Sequence, residues 1–124
     1  MSDVRITLAR VHDVLDEAEA DDQYRVLVDR LWPRGVKKDR LHYDRWDKDV
    51  TPEPELRTAF HAGELSFDEF AERYRAQLRG SDAPAALLDA FRESGASELV
   101  LLFAAKDTEH THALVLRDEL EDRR

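Results

Sequence analysis

The segment ELVLLFAA, residues 98–105, constrains the fold more than any other part of the chain, because it is apolar without a break from residue 99 to residue 105. A strand with one wet face alternates apolar and polar side chains. A strand with no polar face has to be covered on both sides, as a central strand of a parallel sheet is. The run is far short of the about 20 residues that a membrane-spanning helix needs. Residues 24–28 (YRVLV) are nearly as apolar and are expected to lie next to it. Val4, Ile6 and Leu8 alternate with Arg5 and Thr7, which makes residues 4–11 a first, half-buried strand. Residues 41–46 alternate well enough for an edge strand.

Between these strands the periodicity turns helical. The acidic stretch of residues 12–23 fits either a short helical turn or a solvated loop, and residues 36–40 fit a helical turn. Thr51-Pro52-Glu53-Pro54-Glu55 has the prolines and acids of a helix start, with Leu56, Ala59 and Phe60 turned toward the core. Ser66 and Glu69 are spaced as a capping box, ahead of a stripe of Phe67, Phe70, Ala71, Tyr74 and Leu78 that ends at Gly80. Another helix runs from Asp82 to Gly95 and buries Leu87, Leu88 and Phe91. A last helix follows the apolar strand, with Ala113, Leu114, Leu116 and Leu120 available for packing. This order of elements predicts a single compact α/β domain over residues 1–124, with a small, mostly parallel sheet flanked by about five helices.

At 124 residues the chain is the size of one domain. Its 19 Lys and Arg against 28 Asp and Glu leave a net charge of −9, which opposes nucleic-acid binding over the whole surface and leaves room for it only at a local basic patch. With no cysteine and no apolar leader, a cytoplasmic location is expected, and no membrane partner.

Two loops follow the two most apolar strands. In parallel sheets ligands collect beyond the carboxyl ends of the strands, so Arg30, Trp32 and Arg34 are expected to meet Lys106, Asp107 and His110 in one crevice if those strands are neighbours. Paired guanidinium forks suit phosphate or carboxylate, Trp32 offers a wall for a flat ring, and the last helix, capped by Asp107 or Thr108, offers its N-terminus to an anion. Lys106 and His112 belong to the same expected binding set. Asp107 three residues before His110 is the spacing of a carboxylate that orients a general base, although no nucleophile accompanies it. The competing account is structural: Arg30 bridges to Asp29 or Asp107, Trp32 covers a sheet end, and residues 33–35 turn the chain. His110 and His112 diverge on a helix and no third ligand is evident, so no metal is expected. The residues name no cofactor.

The motif RVLVDRLWPRG (residues 25–35), with Trp46, Glu55-Leu56-Arg57, Tyr74, Ala104-Ala105-Lys106-Asp107, Glu109-His110 and His112-Ala113, resembles the YeaO-like family, a domain family without an established biochemical function. The resemblance runs from the first strand to the last helix and implies a compact α/β domain. Relatives often carry Ala-Pro-Ser where this chain has Thr51-Pro52-Glu53, tyrosine at Phe103 and asparagine at Thr111. Longer, more distant relatives place a cysteine where Thr111 stands, so thiol chemistry is not implied here. The expected partner is a small anionic ligand; the alternative is a non-catalytic module that docks a protein or nucleic acid through Arg30, Trp32 and Arg34.

Overall fold

The computed structural model describes residues 4–18 and 20–123. Glu19, within the acidic segment, lies outside the described residues. Strands β1 (Arg5–Arg10), β2 (Gln23–Leu27), β3 (Arg45–Trp46) and β4 (Glu98–Phe103) form one sheet in the order β1-β4-β2-β3, and every neighbouring pair is parallel. Helices α1 (Pro54–His61), α2 (Phe67–Arg79), α3 (Ala83–Ser94) and α4 (His112–Arg123) complete the α/β domain, with short 3-10 turns at Val11–Asp13 and Lys38–Arg40.

The apolar run does become the central strand. Leu99 pairs with Ile6 on one side and Tyr24 on the other, and residues 99–103 are all buried. Its two faces are covered differently. Leu99, Leu101 and Phe103 join Ile6, Val26 and Val28 under α2, α3 and α4, against Phe70, Tyr74, Leu87, Phe91 and Leu116. Val100 and Leu102 face Val11, Leu27, Val36 and Leu41 in a second cluster, roofed by Trp32, Tyr43 and Trp46. Loops rather than helices therefore close the second face. Bulky rings substitute there for a helix: Trp32 packs against Tyr43 and Trp46 at centroid distances of 5.4 and 5.6 Å.

Glu98 begins the central strand and ties it to both neighbours. Its carboxylate accepts from Thr7 Oγ1 of β1 (2.9 Å) and from Gln23 Nε2 of β2 (3.0 Å). Partial burial opposes the charged carboxylate, but these bonds and the nearby Arg5 hold it below its usual range.

Helix starts follow the expected chemistry in part. Ser66 and Glu69 form both bonds of the capping box. At α3 the Asp82 side chain makes no cap bond, and at α1 the first turn likewise receives none from its N-cap residue; Gln77 of α2 reaches across, accepting from the Glu53 N–H (2.9 Å) and donating to the Thr51 carbonyl (3.0 Å). The edge strand is also shorter than the alternation over residues 41–46 predicts. Asp44 Oδ2 takes the Arg25 N–H that a longer ladder would use (2.8 Å), so pairing begins only at Arg45.

Leu101 is fully buried in the larger cluster. Leu101→Ala should lower unfolding free energy by about 2–5 kcal/mol, read as a shifted midpoint in urea with an unchanged slope.

Candidate functional site

Four parallel strands put all their carboxyl ends on one edge. Beyond that edge the loops after β2, β3 and β4 enclose, together with α1, a cavity of about 350 Å³. Its wall holds Asp29, Arg30, Trp32 and Arg34 from the first loop, Thr51 and Pro52 from the second, and Ala104, Ala105, His110, Thr111 and His112 from the third. Arg57, Phe60 and His61 of α1 and Phe70 of α2 close it. The expected meeting of the two loops across β2 and β4 thus occurs, carrying Arg30, Trp32, Arg34, His110 and His112 to one wall. Lys106 and Asp107 are exposed and do not line it.

Asp29 is the hub of this edge. Its carbonyl accepts from Trp46 Nε1 (2.7 Å), and its Oδ2 accepts from the Ala104 N–H (2.9 Å) just past β4. His112, the first residue of α4, stands opposite: its Nε2 lies 2.8 Å from the Val28 carbonyl and 3.4 Å from Asp29 Oδ1. Burial raises the Asp29 carboxyl above its ordinary value, against the lowering effects of His112, the Ala104 N–H and Arg57. Burial lowers His112, against the raising effect of Asp29 and the Val28 bond. Beside this pair Tyr74 packs edge-on to the His112 ring and donates its hydroxyl to the Val50 carbonyl; burial pushes the phenol far up, so it stays a donor.

The arginines are in a different situation. Among the described residues Arg30 makes no ion pair, and its buried Nε has no hydrogen-bond partner, so the bridge to Asp29 or Asp107 does not form. Trp32 has a structural duty: its indole N–H donates to the Val36 carbonyl (2.6 Å), and its ring roofs the smaller core while one part meets the cavity. Asp107 and His110 are paired as their spacing predicted, with Oδ2 and Nδ1 2.9 Å apart, and this bond holds Asp107 below its usual range. Both are exposed at the rim. The cap differs from expectation: Asp107 Oδ1 accepts from the Glu109 and His110 N–H groups in a turn, while α4 starts at His112 after Thr111, whose Oγ1 lies 3.4 Å from the Ala113 N–H.

Sequence reasoning missed Arg57 and His61 and assigned Asp29 only a bridging part. Arg57 stands in the Glu-Leu-Arg triplet that forms part of the family resemblance, but a helix residue shows its tertiary neighbour only after the chain has folded. Among the described residues no group of three or more His, Cys, Asp or Glu is placed to hold a metal ion.

The depressed His112 has a consequence for stability. The unfolded chain binds a proton near 6.5 that the folded chain does not, so stability is complete above that pH and falls as pH falls through it toward the folded value. Asp29, raised on folding, acts in the opposite sense, and only in the more acidic range above 3.8. Thermal midpoints should therefore decline on acidification just below pH 6.5, and His112→Gln, which keeps a donor for Val28, should flatten that slope.

The chain is matched from residue 5 to residue 124 by the family model described as the inactive DUF488-N3 subclade. The uncharacterized protein YeaO of Escherichia coli (strain K12) is 47% identical over 107 residues, covering 86% of this chain and 91% of that protein. The uncharacterized proteins Rv3073c of Mycobacterium tuberculosis (strain ATCC 25618 / H37Rv) and Mb3100c of Mycobacterium bovis (strain ATCC BAA-935 / AF2122/97) are each 41% identical over 120 residues, covering 97% of this chain and 99% of the relative. No solved structure matches the chain. With a family model covering nearly every residue and close relatives matched over almost their full length, the chain belongs to the DUF488-N3, or YeaO-like, family.

Proposed function

We propose that the cavity at the strand ends binds a small anionic ligand, phosphorylated or carboxylated, with a nucleotide as one candidate. The observation that carries this reading is the charge of the wall. Among the described residues Arg30, Arg34 and Arg57 stand there with three histidines and a single carboxylate, Asp29, in a protein whose net charge is −9. Such segregation of charge focuses an attractive field for an anion. Arg30 supports the reading further, since among the described residues its guanidinium has no carboxylate partner. Arg30 and Arg34 act as the clamp, and the rings of Trp32 and Phe60 give the ligand's flat or apolar part a surface.

Binding without thiol chemistry is the form of this proposal. The chain has no cysteine, Thr111 stands at the start of α4, and the matching family model is described as inactive. Asp107 and His110 at the rim supply proton transfer only if a reaction occurs. The setting we propose is the cytoplasm, in keeping with the absence of cysteine and of any helix, among the described residues, long and apolar enough to cross a membrane.

A second reading, a loop that docks a protein or nucleic acid, is favoured by one observation: Leu31, between the two loop arginines, is 64% exposed. An oligonucleotide held there would be released as salt rises.

Arg30→Ala should abolish the thermal stabilisation that inorganic phosphate or a nucleoside monophosphate gives the native chain, while costing less than about 1 kcal/mol of stability in urea. A variant that unfolds instead would make Arg30 structural and sink the clamp.

A further inference from the structure

The hydrogen-bonding state of His112 narrows the ligand class, and this inference rests on the anion-binding reading above. Nε2 of His112 faces two groups that only accept, the Val28 carbonyl at 2.8 Å and the Asp29 carboxylate at 3.4 Å. The imidazole hydrogen therefore sits on Nε2. Burial favours the neutral ring. Its other nitrogen, Nδ1, is then a lone-pair acceptor, and it has no hydrogen-bond partner among the described residues. The ring that carries it lines the same cavity as Arg30, Arg34 and Arg57, whose guanidinium groups can only donate.

The wall thus sets several donors beside acceptors that include Nδ1 and the Asp29 carboxylate. A fully deprotonated oxyanion satisfies the arginines but sets an oxygen lone pair against the lone pair of Nδ1. An oxyanion with a hydroxyl of its own satisfies both, accepting from the guanidinium groups while its O–H donates to Nδ1. Sulfate is of the first kind at neutral pH, and inorganic phosphate, in both its mono- and dianionic forms, is of the second. The two have nearly the same size and shape, so sterics do not separate them.

We propose that the cavity selects oxyanions carrying their own hydroxyl hydrogen, phosphate over sulfate, and that Nδ1 of His112 is the acceptor that reads this hydrogen. Asp29 is a positioning residue in this scheme. It flanks Nε2, fixes the tautomer together with Val28, and is itself anchored by the Ala104 N–H on the neighbouring strand end. A histidine oriented from behind in this way presents its free nitrogen in a defined direction. His110 is not equivalent, because its Nδ1 is occupied by Asp107 at 2.9 Å.

Calorimetric titration of the full chain at neutral pH with sodium phosphate and with sodium sulfate, at matched ionic strength, tests the selection directly. Sulfate should bind more weakly by roughly tenfold to a hundredfold, the cost of covering that acceptor with a ligand that leaves it unpaired. Equal affinities would overturn this inference and leave the anion-binding reading standing; binding of neither anion would overturn both. Nitrogen-detected NMR of the native, anion-free protein supplies a second measurement that needs no variant. It should find His112 protonated at Nε2 alone, and a proton on Nδ1 would also refute the proposal.

Discussion

Burial of β4 on both faces is the constraint from which the rest of the molecule follows. An apolar strand without a wet side needs a neighbour on each edge and a cover above and below, and β1, β2, the helices and the aromatic roof supply these in turn. Because the pairing is parallel throughout, each strand has to be reached by a crossover, and every strand leaves the sheet at the same edge. A crevice at that edge is a geometric by-product of the core.

The backbone that leaves such an edge cannot continue its ladder, and its polar groups need other partners. Asp29, His112 and Trp46 provide them, joining the exits of β2 and β4 to the start of α4. These bonds engage the carbonyl and Oδ2 of Asp29 and one side of His112. Among the described residues they leave the guanidinium of Arg30, Oδ1 of Asp29 and the second nitrogen of His112 without a hydrogen bond, so one part of the site holds the fold together and another is free to meet a ligand. The aromatic roof has the same double character, since Trp32 closes the smaller core and also touches the cavity.

Much of this was legible in the residues. The apolar run marked the central strand, the capping box marked the start of α2, and the RVLVDRLWPRG motif marked both the second strand and the loop that borders the cavity. Local chemistry also foretold the Asp107 and His110 pair, because three residues of separation lie within reach of one turn. The start of α4 was less legible: Asp107 satisfies its own turn, and the helix waits until His112. Lys106 was expected beside the arginines and instead points to solvent, since the turn carries it away from the wall.

By itself the sequence determined the strands, the helical stripes, the α/β class and the charge that any partner meets, because each depends on periodicity or composition over neighbouring residues. Only the tertiary structure decided that α1 lends Arg57 and His61 to the cavity, that loops and rings rather than helices cover the second face, and that Asp29 faces His112. Those pairings join residues far apart in the chain. Their identity depends on where parallel crossovers deliver each loop, and no local pattern encodes that position.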